Sequence, residues 1–290
     1  MTSVLYYSST DGDENFASIS SWFQQSPEKS NYLLLKADEN RKCLLSKNLM
    51  SQNISSVWIK FADMVNECSN DLFDTLNETT TIKQLLVDDW ELKYFILPFE
   101  PINNVSCNVI SLGIGGETET EERVKRIMPQ CKFLGIDSGA ALSKEFYEKR
   151  LGGTYVEGLV GAKNGTFSAN VLENGTYVLK ELQHFSFTHF LSKYFKGNLV
   201  DLLFMDIEGD EYELMKDMID NPELYPPICQ LNVEFHDSSK RTGIMLPLFN
   251  KLFGESSYVA IKGGFFFNQF NKFHLINVKN DECLKKYFIK

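Results

Sequence analysis

The sequence predicts an α/β fold: a mostly parallel sheet covered by helices on both faces from about residue 105 to 290, behind a mainly helical segment over 1–104. Three observations predict it. After residue 105, short apolar β-branched runs alternate with charged amphipathic runs. Before it, apolar residues recur at three- and four-residue steps. Between the two regimes, the prolines of "LPFEP" (97–101) break the chain.

In the first region Ile54, Val57, Trp58, Phe61, Met64, Val65, Cys68, Leu72 and Leu76 make the stripe of an amphipathic helix. Ile82, Leu85, Leu86 and Trp90 suggest a second helix. In the later region "NVISLGIG" is a strand that ends in glycine. "TETEERVKRIM" follows as a helix with Val124, Ile127 and Met128 on one face, stopped by Pro129. "KFLGID" and "ALSKEFYEKRL" are the next strand and helix, closed by Gly152 and Gly153. "TYVEGLVG" is a third strand, and Asn164-Gly165 and Asn174-Gly175 bracket "TFSANVLE" as a hairpin insertion. "FTHFLSKYF", "LVDLLFMDI", "DEYELMKDMI" and "ICQLNVEFH" continue as helix, strand, helix, strand. A helix near 241–253 and two late strands, "YVAIKGGFFF" and "FHLINV" around the turn "NQFN", close the chain.

Composition narrows the function. With 43% hydrophobic residues a full core can form, and a net charge of −10 excludes a general nucleic-acid binder. No apolar run is long enough to span a membrane, and the first residues lack the basic and apolar blocks of a secretory signal, so the expected location is the cytoplasm. The six cysteines form no CxxC pair and read as buried reduced thiols. On that reading the sequons at Asn53, Asn77 and Asn174 carry no meaning, since they matter only on a secretory route.

In open α/β sheets ligands settle at the carboxyl ends of strands. The first strand ends in Gly113-Ile114-Gly115-Gly116, which permits close backbone approach and a sharp turn. The second ends in Asp137-Ser138, and an acid at that distance can hold the diol of a ribose. A dinucleotide site would want a third glycine where Thr118 stands. Glu117, Glu119, Glu121 and Glu122 would repel a pyrophosphate. A phosphate-free, cationic nucleoside suits this loop, and S-adenosylmethionine has both properties. Further on, "FMDIEGDEYELM" places five carboxylates within eight positions. In "QLNVEFH", Gln230, Asn232, Glu234 and His236 give a central strand one polar face. That face is either a buried hydrogen-bond network or the wall of a cleft shared with Asp206 and Glu208. His184, His189 and His274 read as packing or surface residues, and "GGFFF" (263–267) as a core strand.

"VDLLFMDIEGDEYELM" followed by "ICQLNVEFH" resembles the FkbM-type family of S-adenosylmethionine-dependent methyltransferases, with its strand ending in Asp-x-Glu-Gly-x-Glu and a later strand ending in Glu-x-His. "SLGIGGETETEE", "FLGIDS", "EGLVGAKNG" and "WELKYFILP" are similar to other segments of that family, so the likeness covers about residues 90–237. It implies the class I methyltransferase fold, a Rossmann-like seven-stranded sheet whose last strand is antiparallel. It also implies that Gly113, Ile114, Gly115 and Gly116 lie under the cofactor, that Asp137 holds the ribose with Ser138 beside the cofactor, and that Val160 or Gly161 borders the adenine. Asp206 would sit beside the methyl group, with Glu208, Glu234 and His236 around the acceptor. Two positions depart from the pattern: Ser111 stands where many such enzymes have an acid, and Ser138 where this branch often has proline.

The expected activity is O-methylation of a small-molecule or sugar hydroxyl. His236 is expected as the base, since its ordinary pKa lies near neutrality, with Asp206 or Glu208 able to serve if desolvated. No residue spacing requires a metal, although these carboxylates offer the hard oxygens that Mg²⁺ prefers. Asp210, Glu211 and Glu213 are expected on the solvated first turn of the following helix. The N-terminal segment is expected to pack over the cleft and shape acceptor choice. The competing readings are a catalytically silent member that binds cofactor or a protein, and a nicotinamide-linked oxidoreductase.

Overall fold

The structure, a computed structural model, describes residues 27–87, 91–101, 104–173, 176–236 and 243–289. The turn expected at Asn174-Gly175 and the Trp90 position lie outside these residues. The chain begins with α1 (Pro27–Ser46) and α2 (Ile54–Thr79). The Asn53 side chain caps α2 by accepting the N–H groups of Ser55 and Ser56. The predicted stripe of α2 is its buried face, from Val57 and Phe61 through Val65 to Leu72 and Leu76. Phe61 stacks on Phe249 at 4.7 Å and meets Phe253 and Phe273 edge-on, so this helix shares the aromatic core of the later region.

The second expected helix is instead an antiparallel pair, β1 (Ile82–Val87) and β2 (Glu91–Ile96). Leu85 and Val87 are buried while Leu86 is exposed, the period of a strand. The short apolar run fitted either period, and tertiary contacts decided. Asn232 bonds the backbone N–H and C=O of Tyr94, and Gln230 does the same at Ile96. Half of the polar face of "QLNVEFH" therefore acts as a docking strip for β2.

After β3 (Asn108–Leu112) the chain runs through α3 (Glu119–Ile127), β4 (Lys132–Asp137), α4 (Ala140–Glu145) and β5 (Thr154–Glu157). The short β6 (Leu159–Gly161) then leaves the main sheet to pair with β8 (Thr176–Ser186), itself the partner of β7 (Gly165–Glu173); this is the expected insertion. Next come α5 (Phe187–Tyr194), β9 (Val200–Met205), α6 (Glu211–Asp220), β10 (Ile228–His236), α7 (Met245–Gly254), β11 (Tyr258–Phe266) and β12 (Phe270–Asn277). The seven-stranded sheet has the order β5-β4-β3-β9-β10-β12-β11, with β12 antiparallel to both neighbours. This is the class I methyltransferase fold. Its strand order reverses between β3 and β9, and there two loops leave side by side. One core layer lies on each face. The first gathers Phe61, Phe235 and Phe249; the second Leu72, Val109, Phe204 and Tyr287.

The cysteines correct the sequence reading. All six pair: Cys43 with Cys68, Cys107 with Cys131, and Cys229 with Cys283. Scattered spacing hid this because each bond joins elements that only the fold brings together: α1 to α2, the start of β3 to the start of β4, and β10 to the C-terminal segment. That segment is also held at buried Asp201, which accepts hydrogen bonds from the Tyr287 hydroxyl at 2.6 Å and the Asn108 N–H at 2.6 Å and pairs with Lys286. Among the described residues no helix is long and apolar enough to cross a membrane.

Candidate active site

At the sheet's switch point Leu112 lies level with Met205, so the loop after β3 rests on the loop after β9. Gly113 has φ +77°, and any side chain there would collide with the carbonyl oxygen of Asp206. Gly115, at φ +66°, faces open space. Asp137 organises this loop. One carboxylate oxygen accepts the N–H groups of Ile114 at 2.6 Å and Gly115 at 2.9 Å, while the other accepts that of Gly139 at 2.5 Å. An ionised carboxylate has about four acceptor positions, so the brace does not exhaust it. The Gly116 N–H is bound by the Ser143 hydroxyl, and Ser138 is half-buried beside Asp137. Val160 keeps its side chain in the core with Ile136 and Phe187, which leaves only its backbone to border a ligand. Gly161 lies against Asp210 and His184.

The acidic run after the glycines has other work than repelling phosphate. The Ser111 hydroxyl donates to Glu121 at 2.6 Å and accepts from the Tyr147 hydroxyl at 3.2 Å. Burial pushes the Glu121 carboxyl up, with the Lys93 ammonium pulling against it. A carboxyl group from α3 therefore lies against the position-111 side chain. Glu119 pairs with Arg123, and Glu122 with Arg150 at 3.3 Å.

The other loop gathers charge around one imidazole. Nε2 of His236 lies 3.6 Å from Asp206, 3.6 Å from Glu208 and 3.4 Å from Glu234. Its Nδ1 bonds Glu211 at 2.9 Å. The four predicted catalytic residues therefore converge. Glu211 corrects the expectation of a solvated helix start: it is fully buried, and it also accepts the N–H groups of Ile207 at 2.9 Å and Gly209 at 2.8 Å. Those bonds hold the loop in which Glu208 takes the unusual φ of +56°. The signal was present, since Glu211 is the final acid of the Asp-x-Glu-Gly-x-Glu pattern. Asp210 instead faces buried His184 at 3.4 Å, and Glu213 is half-buried.

Burial alone would lower the His236 pKa. The hydrogen bond to Glu211, with the fields of Glu211, Asp206 and Glu234, outweighs it and raises the value to about 10. That shift favours the imidazolium form of His236 at neutral pH. Glu234 is pushed up to about 7, first by burial and then by Asp206, with Lys272 at 2.6 Å and His236 opposing. Burial likewise pushes the Glu211 carboxyl up, against the pull of His236.

Asp206 and Glu234 open onto a hollow. Lys93 and Tyr94 from β2, Lys262, Gly263, Gly264 and Phe266 from β11, and Lys272 and His274 from β12 also line it. Sequence reasoning missed all of these because they lie on strands far apart in the chain. The "GGFFF" run is a strand as expected, yet its glycines and Phe266 form a wall of the hollow. Asp206, Glu234 and His236 each offer a ligand atom within 4.8 Å of the others. The Lys272 ammonium and the imidazolium already supply positive charge to this set, so a divalent cation fits it poorly.

The Methyltransferase FkbM domain family matches residues 74–256, more than half of the chain. The chain belongs to this family. No curated protein matches it in sequence. Among solved structures, this chain is similar to the METTL16 MTase domain, at 12% identity and a TM-score of 0.39 over 61% of this chain and 62% of that one. It thus spans less than two thirds of that domain's own length. It is also similar to a chain of a fibrillarin/Nop5p complex, at 14% identity and 0.36 over 59% and 72%. A third is precorrin-6y C5,15-methyltransferase from Geobacter metallireducens GS-15, at 10% and 0.32 over 60% and 82%.

Proposed function

We propose that this methyltransferase uses S-adenosylmethionine to methylate a hydroxyl oxygen of a small molecule or sugar. The observation that carries the reading is Glu234, a buried carboxylate that lines the hollow together with Asp206 and whose pKa burial pushes up to about 7. A base poised near neutrality is what a hydroxyl nucleophile needs, because its proton must leave as the new C–O bond forms.

The residues of the first loop fit the cofactor. Gly115 has open space beside it at a left-handed φ that favours glycine, Asp137 keeps acceptor capacity for ribose hydroxyls, and Ser138 lies next to it. When bound, the cofactor supplies a methyl group already activated on a sulfonium. The carboxylates of Asp206 and Glu208 favour a positive charge beside them. Glu234 accepts the hydroxyl proton, and Lys272 orients that carboxylate. The His236 imidazolium, held by Glu211, keeps Asp206 and Glu208 from repelling each other apart. The protein's contribution is chiefly alignment.

Taking 1–104 as an acceptor-shaping segment on a catalytic region 105–290 is supported by Lys93 and Tyr94 in the hollow. Phe73 of α2 supports it too, touching both Tyr94 and Lys262. Three disulfides favour an oxidising compartment over the expected cytoplasm. Calorimetric titration tests the reading: S-adenosylmethionine should give saturable heat and NAD none. Silence with S-adenosylmethionine would overturn it.

A further inference from the structure

Register places two cross-strand rungs, each carrying polar side chains, along the hollow. The outer rung runs from Gly264 to Lys272 to Glu234, and the inner one from Lys262 to His274 to Asn232. Two residues separate the rungs on each strand, so they lie roughly 7 Å apart. The outer rung is internally matched, because Lys272 pairs with Glu234 at 2.6 Å. The inner rung is not. The Lys262 ammonium sits 4.0 Å over the Phe73 ring, and among the described residues no carboxylate lies within ion-pair distance of it. His274 is 2% exposed, and neither of its ring nitrogens has a hydrogen-bond partner. Burial lowers its pKa to about 3, so the ring is neutral and carries one N–H to donate. Among the described residues the inner rung thus holds an ammonium with no carboxylate beside it and a buried imidazole with no hydrogen-bond partner.

We propose that the acceptor is an anion, its carboxylate or phosphate bound by Lys262 and His274 about 7 Å from the hydroxyl presented to Glu234. The inference rests on the methyltransferase reading above and narrows its substrate class. An anion there would answer both the lysine charge and the orphan imidazole N–H. A neutral polyol would leave the charge unmatched. A separation of that size spans one sugar ring or a comparable hydroxy acid.

The four histidines make ring-nitrogen NMR on the full chain a direct readout that needs no turnover. The probes are acetate, inorganic phosphate, glucuronate, glucose 6-phosphate and glucose. The His274 ring signal should move saturably with the carboxylates or with the phosphates, which identifies the anion, and not with glucose. Lys262→Met, which keeps the stem over Phe73, should weaken that binding at least tenfold, and Lys262→Arg should restore most of it. Equal response to glucose, no response to any anion, or an unaltered affinity in Lys262→Met would overturn the proposal. Loss of S-adenosylmethionine heat with the anion response intact would instead count against the methyltransferase reading.

Discussion

The loop after β3 and the loop after β9 touch, Gly113 against the Asp206 carbonyl, yet they are made of different materials. The first is backbone: three N–H groups drawn onto one carboxylate, with glycines where side chains would intrude. The second is charge: four carboxylates around one imidazolium, with a lysine behind. The difference teaches how the labour is divided. A backbone cradle binds by shape and tolerates a cation that arrives and leaves. A buried charge network costs much to assemble and is justified by pKa values that solvent would not give.

Breaking the second loop should have the larger effect. Glu211→Ala leaves an imidazolium and two N–H groups without their buried partner, and should cost about 3–5 kcal/mol in denaturant unfolding. The same variant should return the His236 pKa from about 10 toward its ordinary value, as read by NMR titration. The pKa of His236 is raised on folding. Its contribution to wild-type stability is therefore complete below about pH 6.5 and lost as pH rises toward 10, a slope that Glu211→Ala should flatten.

Each region is also pinned at its root, Cys107–Cys131 under β3 and β4, and Cys229–Cys283 under β10. Replacing either pair by alanines should cost about 2–4 kcal/mol. Alkylation of the unfolded, unreduced protein should modify no cysteine; six modified thiols would contradict the pairing.

Asp137→Ala tests the first loop. It removes three hydrogen bonds at a part-exposed position, so about 2–3 kcal/mol of stability should go. Affinity for S-adenosylmethionine should fall with it in calorimetry. The smallest effect belongs to Asn232→Ala, which frees β2 at one residue and should cost about 1–2 kcal/mol.

The contrast also explains what the sequence could disclose. The first loop is local: Gly113 to Asp137 sits within one strand–helix–strand unit, and its residue types follow from its geometry. The sheet was legible for the same reason, through alternating runs. The acid cluster was visible, but the role of Glu211 depends on His236, 25 positions away, as the third dimension places it. Lys262, Lys272 and His274 were illegible, because a lysine on a strand looks like any edge residue until its neighbours are known. The β1–β2 pair failed for another reason: six residues fit two periods, and Gln230 and Asn232 decided the matter from a distant strand.

The most direct test of this division is Glu234→Gln, compared with wild type for S-adenosylmethionine affinity by calorimetry and for methyl transfer to an accepted substrate. The account predicts unchanged affinity and a rate reduced about 10²–10⁴-fold. An undiminished rate, or a loss of cofactor affinity large enough to explain the loss of rate, would contradict it.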